Sequence, residues 1–495
     1  MKKIKSSQNR VSALPALCAL LLAAGCAVGP HHKAPEVATP ETFRGEKGAN
    51  DKSFADLPWW EIYRDPTLFG LIKVATEENI DLRIALSRVE IARQNHRAAV
   101  WSLFPTIGVQ AGVGESLGQP NIPSVYPLQS ATGTFGAGVG ASWEPDVWGR
   151  LRRITEVAQY QMEAADEDRR GVYIALVGDV ADLYFTLSAI DQQKSYADRA
   201  VATRSDTLTL FSQRASGGVG NDLEVARARA SLKQAEAATT QLDLARITNE
   251  NAINYLLARP PGPIENRASL EQLKEPPAIP AGLPSTLLQR RPDIRFTEKR
   301  LLAANAQIGA EMADFFPKFE LTGFLGVVSP DLQQAQFARG GVGLFSWTLP
   351  FLGGERERAE YDRAKATFEL TAAEYERSVV NAFREVANSL AEVQTLRDRR
   401  AAVQEVVDAL DAALRLAVDR YRGGVANYLD VLTVQEQLLV SQLDLATLAG
   451  QQLSAVARLY RNLGGGWVLE DEEDEDGKST KTMKKSDKGP SKKKG

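Results

Sequence analysis

The chain has few of the residues from which catalytic and metal sites are built. Among its 495 residues are two cysteines and three histidines. The histidines do not have the spacing of a zinc-binding helix, and the sequence contains neither a phosphate-binding loop nor a nucleophile elbow. We therefore expect that the protein is not an enzyme, and that it needs neither a metal nor a soluble cofactor.

Long apolar runs are also absent after the first residues. Beyond Leu22 there is no run of about 18 or more apolar residues, the length that a transmembrane helix needs. If the chain crosses a membrane, it must do so with strands in a closed barrel, because only that alternative satisfies the backbone polar groups in lipid.

The N-terminus is typical of a secreted bacterial lipoprotein. A basic start precedes the short apolar run Val11–Leu22, which leads to Ala23-Ala24-Gly25-Cys26. This end resembles a lipobox, although Ala23 stands where leucine is usual. Cys26 would then carry a covalent lipid, and Ala27 after it favours the outer membrane. The alternative is an ordinary cleaved signal in which Cys26 is incidental. Cys18 lies in the removed part, so the mature chain has no disulfide framework.

Proline is missing from two long stretches. There is none between Pro145 and Pro260, and none between Pro350 and Pro490. Because proline breaks helix interiors, its absence permits very long helices. Apolar residues step by three and four in both stretches, which is typical of helices packed side by side. They are Tyr173, Leu176, Val180, Leu183, Leu187 and Ile190 in the first, and Val379, Phe383, Val386, Leu390 and Val393 in the second.

Four short segments alternate apolar residues with glycine or polar residues. Such alternation over about ten residues is typical of tilted membrane strands, and a soluble glycine-rich hairpin is the alternative. Trp143 and Trp347 fall at strand ends, where interfacial aromatics are expected. The apolar positions are Ile107, Val109, Ala111 and Val113; Phe135, Ala137, Val139 and Ala141; Phe319, Leu321, Leu325 and Val327; and Val342 and Leu344, which begin the fourth strand.

The order of these patterns indicates an internal duplication. Each copy contains a strand hairpin followed by a long helical hairpin, and the copies are about 203–212 residues apart. Four strands cannot close a barrel, since the smallest membrane barrels use about eight. We therefore predict a membrane β-barrel with four strands per chain, closed by oligomerisation, and two long helical hairpins per chain that form a rod or the wall of a tube, as in a long α-helical barrel.

The helical turns of the two copies match residue by residue. Gly217-Gly218-Val219 and Asn221 recur 206 positions later as Gly423-Gly424-Val425 and Asn427. Glycine at such positions supplies positive φ, and asparagine caps the next helix. The turn glycines and valines could also dock a partner, and both roles can hold at once.

Several segments together resemble the TolC-like outer membrane factors, in their lipoprotein branch. The resemblance covers most of the mature chain, through the order and spacing of these motifs rather than any one of them. The motifs are Trp59-Trp60 with Asp65-Pro66-Thr67-Leu68; Trp143-Glu144-Pro145-Asp146-Val147-Trp148-Gly149-Arg150; Leu283-Pro284-Ser285 with Arg290-Arg291-Pro292-Asp293-Ile294; and Tyr421 to Val431.

The resemblance implies a specific assembly and function. The family forms homotrimers, with a twelve-stranded barrel in the outer membrane and a helical tunnel in the periplasm. The tunnel meets a periplasmic adaptor, or membrane fusion protein, bound to an inner-membrane transporter, here of the RND type. The expected function is passive export of small molecules or drugs in a tripartite efflux pump. The partners also include outer-membrane lipid, and no nucleic acid.

The resemblance also names residues. Near the channel entrance, gate candidates are Tyr421, Asn427, Tyr428 and Asp430. In a trimer, three copies of Asp430 would form a ring that attracts cations. The alternative is a solvated carboxylate at a helix start. Ala426 and Thr433 depart from the family pattern at the gate. The adaptor-docking candidates are Gly217, Gly218, Val219, Gly423, Gly424 and Val425.

These observations divide the chain into five parts. Charge blocks at the C-terminus predict a disordered tail, with a polybasic contact as the alternative. The parts are a signal peptide at 1–25; a lipid-anchored linker at 26–62; a first repeat at 63–270, with a strand hairpin at 106–143 and a helical hairpin at 150–258; a second repeat at 271–467, with hairpins at 318–347 and 354–462; and the tail at 468–495.

Two other functions fit parts of the sequence. One is the outer-membrane channel of a type I protein secretion system, which the sequence does not separate from small-molecule efflux. The other is a periplasmic coiled-coil adaptor lipoprotein with a structural role. An adaptor would have one helical hairpin rather than two copies of the strand and helix hairpins, so the duplication favours a channel.

Overall fold

A computed structural model of the protein describes most of the chain between Val28 and Gly465. The described residues are 28–30, 39–40, 42–43, 65–114, 134–218, 220–265, 268–273, 284–329, 338–348 and 354–465. The predicted signal peptide, Cys26, Trp59-Trp60, Val219 and the C-terminal tail lie outside these residues.

Long helices make up most of the described chain. The helices are α1 (Pro66–Glu78), α2 (Ile80–Trp101), α3 (Arg150–Ser216), α4 (Asp222–Leu256), α5 (Leu287–Arg290), α6 (Pro292–Ala313), α7 (Gly354–Arg422) and α8 (Tyr428–Asn462). A single 3-10 turn, Pro284–Thr286, precedes α5. The two longest, α3 and α7, have 67 and 69 residues and lie in the proline-free stretches.

The four strands form one antiparallel sheet in chain order. They are β1 (Thr106–Gly114), β2 (Thr134–Trp143), β3 (Lys318–Ser329) and β4 (Ala338–Thr348). The central pair, β2 and β3, joins the two copies of the duplication within one sheet. β4 begins at Ala338, four residues before Val342, because its backbone pairs with β3 as far as Val328.

The register places the predicted apolar positions of β1, β2 and β3 on one face. Val109 lies opposite Val139, which lies opposite Leu325, and Leu321 lies opposite Phe345. Val109 and Leu325 are 83% and 69% exposed, so no described residue of the chain covers these two side chains. The other face carries Thr106, Ser142, Glu320 and Thr322, and there Ser142 donates a hydrogen bond to Glu320. Leu344 falls on this second face, since it lies opposite Thr322.

The helices and sheet fall into two compact units, and each unit draws on both copies. Unit 1 comprises Met1–Pro40, Thr76–Tyr173 and Arg291–Glu385. Unit 2 comprises Glu41–Ala75, Ile174–Arg290 and Val386–Gly495. The compact units therefore do not follow the division into repeats, because corresponding parts of the two copies pack together.

In unit 1, the motif residues hold the ends of helices and strands. Asp146 accepts hydrogen bonds from the amides of Leu151 and Arg152 at the start of α3. The indole of Trp148 stacks on Phe316 at 4.8 Å and donates to the carbonyl of Pro317, just before β3. The motif thus fixes the junction between the sheet and the helices.

The second motif of unit 1 has a similar structural role. Arg291 is 7% exposed and precedes α6. Its guanidinium pairs with Asp293 at 2.6 Å and with Glu385 of α7 at 2.7 Å. A buried arginine requires such partners, so this motif joins α6 to α7.

In unit 2, the second half of α8 forms the centre of the core. Leu448, Ala455 and Leu459 are buried there, as are Tyr184 and Phe185 of α3. Arg458 of α8 pairs with Asp182 of α3 and with Glu392 of α7. The motif residue Asp65 caps α1 and accepts a hydrogen bond of 2.6 Å from the Tyr184 hydroxyl.

One described helix has a segment apolar enough to cross a membrane. It is α3, in which an 18-residue window meets that criterion, and 61% of the window is buried inside the protein. The mean hydropathy of 18 residues can reach this level without an unbroken apolar run. Burial of this kind is typical of a core helix.

Candidate functional site at the helical hairpin ends

The ends of both helical hairpins lie in unit 2 and share one backbone design. In the α3–α4 turn, the amide of Gly217 donates to Gln213, and Gly218 has φ +76°. In the α7–α8 turn, Gly423 donates to Asp419, and Gly424 has φ +74°. Positive φ favours glycine, so the turn geometry explains Gly218 and Gly424 without any partner.

Asparagine starts the returning helix in each hairpin. The side chain of Asn221 accepts a hydrogen bond of 2.9 Å from the amide of Leu223. Asn427 accepts one of 3.1 Å from Leu429 in the same way. Asn427 was predicted as a gate residue, and the structure gives it a helix-capping role at this place.

The two turns differ at one small residue. A Cβ on Gly220 would lie 2.5 Å from the backbone nitrogen of Ala215, so the first turn admits only glycine there. The equivalent position in the second turn is Ala426, which is half-buried. The backbone of the two turns is therefore not identical, despite their matching hydrogen bonds.

An aromatic cluster joins the two hairpins just inside the turns. Phe211 of α3 packs edge-on against Tyr428 of α8, with ring centroids 4.4 Å apart. Tyr421 of α7 contacts the same two rings at 6.4 and 5.3 Å. Ala228 of α4 and Val431 of α8 complete the buried cluster. All four helices therefore contribute to it.

A hydrogen bond at the rim of this cluster also connects the hairpins. The guanidinium of Arg214 on α3 donates to the Tyr421 hydroxyl at 2.8 Å. The pair is exposed, so its net contribution is about 0.5–1.5 kcal/mol. A bond of this size can hold two hairpins together and still be broken when a partner binds.

A buried cation lies about two helical turns deeper. Arg204 of α3 is 6% exposed and donates to the carbonyl of Ser231 on α4 at 2.8 Å. Burial lowers the pKa of its guanidinium, and nearby Glu436 of α8 acts in the opposite direction. Burial also raises the pKa of Tyr428 above its usual value. Sequence reasoning missed Arg204 and Arg214, because arginines on a helical stretch read as solvated. It missed Phe211, which lies beyond the stepped apolar pattern that ends at Ile190.

The predicted gate carboxylate lies at the surface of unit 2. Asp430 is exposed in the first turn of α8, and its amide donates to the carbonyl of Asn427. Among the described residues, its carboxylate has no ion-pair partner. Val425 of the adjoining turn is 69% exposed and its amide is bonded to Arg420, so its side chain is available to a partner.

The described residues at the hairpin ends form no arrangement typical of a metal site. Among them, no group of three or more His, Cys, Asp or Glu side chains is placed to hold a metal ion. The arrangement consists of two matched turns, one aromatic cluster and an exposed hydrogen bond.

Comparison with known proteins identifies the family. The sequence pattern described as "Outer membrane efflux protein" matches residues 71–259 and 283–465. The chain belongs to this family. The two matched segments correspond to the two copies of the duplication, so the family is recognised in each half.

Relatives of known role extend over nearly the whole chain. The solvent efflux pump outer membrane protein SrpC of Pseudomonas putida is 33% identical over 469 residues, covering 91% of this chain and 97% of SrpC. The cation efflux system protein CusC of Escherichia coli O6:H1 is 31% identical over 463 residues, covering 91% and 98%.

Solved structures show the same fold. The outer-membrane channel OprN has a TM-score of 0.81 at 29% identity, covering 89% of this chain and all of that chain. The open state of the MtrE channel of Neisseria gonorrhoeae has a TM-score of 0.79 at 30% identity, covering 89% and 98%.

These findings confirm the predicted family, fold class and general function. The protein is an outer-membrane channel component of an efflux pump. The alternative of a periplasmic adaptor is wrong, because the relatives are outer-membrane pump components. The described chain also contains strands from both copies of the strand hairpin, which an adaptor would lack. The roles predicted for the gate and docking residues stay predictions.

Proposed function

We propose that three copies of this chain close one twelve-stranded barrel in the outer membrane, continued by a helical tunnel in the periplasm. The observation that carries the proposal is the four-stranded sheet. Its outer strands leave backbone groups unpaired, and its apolar face is exposed. In lipid such edges must be closed, and three chains supply enough strands around a pore.

The exported substrates in this proposal are small molecules, and the partners are a periplasmic adaptor and an inner-membrane transporter of the RND type. The relatives SrpC and CusC belong to a solvent efflux pump and a cation efflux system, which supports small solutes rather than proteins. The channel itself would act passively, because the described residues contain no nucleotide-binding loop to supply energy.

The hairpin ends form the entrance in this proposal. Contact of the adaptor with the exposed turns around Gly218 and Gly424 would compete with the bond from Arg214 to Tyr421. The α7–α8 hairpin would then move away from α3, opening a constriction at which three Asp430 carboxylates face one another.

Cys26 would carry the lipid that tethers the chain to the outer membrane. The lipobox-like Ala23-Ala24-Gly25-Cys26 supports this, and the absence of any other cysteine from the mature chain leaves Cys26 free of disulfide pairing. The mass of the N-terminal peptide of the purified protein tests it directly.

The channel proposal is tested in cells that lack their own outer-membrane pump component. Producing this chain with its adaptor and transporter should lower the steady-state accumulation of a fluorescent dye, and Val109→Arg should abolish the effect. A matched Gly108→Arg variant serves as control. Unchanged dye accumulation, together with correct outer-membrane insertion, would contradict efflux of small molecules and favour protein secretion.

A further inference from the structure

The segment Val28–Pro30 is held on unit 1 through its backbone. The amide of Val28 donates to the carbonyl of Trp148 at 3.1 Å. The guanidinium of Arg153 on α3 donates to the carbonyl of Val28, and the side chain of Asn305 on α6 donates to that of Pro30, both at 3.3 Å. Three polar groups from two regions of unit 1 therefore fix three consecutive residues.

The position of Val28–Pro30 on unit 1 also depends on a close contact between two glycines. Gly29 has φ +129°, and a Cβ added to it would lie 2.6 Å from the Cα of Gly309 on α6. A Cβ on Gly309 would lie 2.8 Å from the Arg153 side chain and 2.9 Å from the carbonyl of Val28. Neither position has room for a side chain, so the close approach depends on both glycines.

The segment Val28–Pro30 lies at the junction between the sheet and the helices. Trp148, which accepts the hydrogen bond from Val28, also donates to Pro317 next to the first residue of β3. That residue, Lys318, lies opposite Thr348 at the end of β4, beside the exposed Trp347. Exposed tryptophans at strand ends mark the boundary of a bilayer.

We propose that Val28–Pro30 is a clip that fixes the acylated N-terminus beside the strand ends. The proposal rests on the lipid proposed for Cys26. Two extended residues span at most about 7 Å, so a clipped Val28 keeps Cys26 close to the junction. The acyl chains then enter the bilayer next to the strands, instead of at the end of a free tether.

The consequence is a coupling between anchoring and the fold of unit 1. The lipid on Cys26 and the clip at Val28–Pro30 are two contacts of the same chain. Once one contact has formed, the other is intramolecular, and it is favoured more when the residues that link the two are few and stiff. A clipped anchor holds the junction at the membrane surface at all times. A free tether of the same sequence would only keep the protein near the membrane.

A spin label on the clip tests this inference. The mature chain has no cysteine except Cys26, so Pro30→Cys gives one labelling site when Cys26 is acylated. In the full-length protein in outer-membrane vesicles, we expect an immobilised electron paramagnetic resonance spectrum. Adding Gly309→Val should make the mobile component dominant, because the new side chain meets Arg153 and the Val28 carbonyl.

Two further variants keep the test decisive. Gly171→Val on α3 is the matched control, because a Cβ there meets nothing within 4 Å, and the spectrum should not change. Asn305→Ala removes one hydrogen bond without adding bulk, so it should give a smaller increase in mobility if Gly309→Val does not assemble.

The possible failures are distinguishable. A mobile label in the Pro30→Cys protein without a second substitution would overturn the clip. An unchanged spectrum after adding Gly309→Val or Asn305→Ala would also overturn it. An N-terminal peptide that lacks the acyl mass would instead overturn the lipid on Cys26, and the clip would lose its membrane role.

Discussion

At the scale of single residues, Asp430 is the side chain with the clearest expected effect on conduction. We expect Asp430→Ala to reduce the cation selectivity of the channel in planar bilayers, because in the proposed trimer the variant removes three like charges from one constriction. Glu224→Ala, at the equivalent place in α4, is the comparison and should have a smaller effect. Unchanged selectivity in Asp430→Ala would leave a solvated helix-start carboxylate as its role.

The bond between Arg214 and Tyr421 gives a second prediction at this scale. Tyr421→Phe deletes only the accepting hydroxyl and leaves the ring packed against Phe211. Loss of about 0.5–1.5 kcal/mol in each chain should raise the open-to-closed ratio about 2- to 13-fold per chain in single-channel recordings. Arg214→Met should have a similar effect alone and little added effect in the double variant. Fully additive effects would show that the two residues act separately.

At the scale of secondary structure, the two faces of the sheet should respond differently to charge. Val109 lies on the exposed apolar face, and its neighbour Gly108 points to the other face with open space around it. An arginine on the lipid face costs about 2–4 kcal/mol at mid-bilayer. We expect Val109→Arg to reduce assembled channel in outer-membrane fractions, and Gly108→Arg to leave it unchanged. Equal losses would count against a lipid-facing Val109.

The contact between α3 and α8 in unit 2 depends on a glycine. A Cβ on Gly450 would lie 2.7 Å from that of Ala189 and 3.1 Å from the carbonyl of Phe185. We expect Gly450→Val to separate the helices and lower the temperature at which the oligomer band disappears on gels. Gly70→Val on α1, where a Cβ meets nothing within 4 Å, should change that temperature much less. Comparable shifts in both would mean that helix propensity, not packing, sets the effect.

At the scale of the whole molecule, the strand count predicts the number of chains. Four strands per chain require several chains, and three copies give the proposed twelve-stranded barrel. Co-production of chains carrying a long and a short tag should give four bands on an unheated gel, since a trimer has four combinations. Three bands would indicate a dimer with eight strands.

Much of this fold was predictable because its periodicities are simple. Alternation with period two located β1 to β3 nearly to the residue, and the proline-free stretches located α3 and α7. The start of β4 was placed too late, because Ala338 to Gly341 carry little apolar signal. Steps of three and four identified Leu176 and Val180 as buried, but did not single out Tyr184 and Phe185, which are fully buried.

The sequence by itself determined the local structure, the duplication and the need for more than one chain. The local structure follows from residue spacing and turn chemistry, which act over a few neighbours along the chain. The duplication and the need for several chains follow from counting the segments that recur in the sequence. Only the tertiary structure decided that Arg214 meets Tyr421, that Arg204 is buried, and that Gly29 rests on Gly309. Each of these contacts joins residues far apart in sequence, and no periodicity records which helices will pack together.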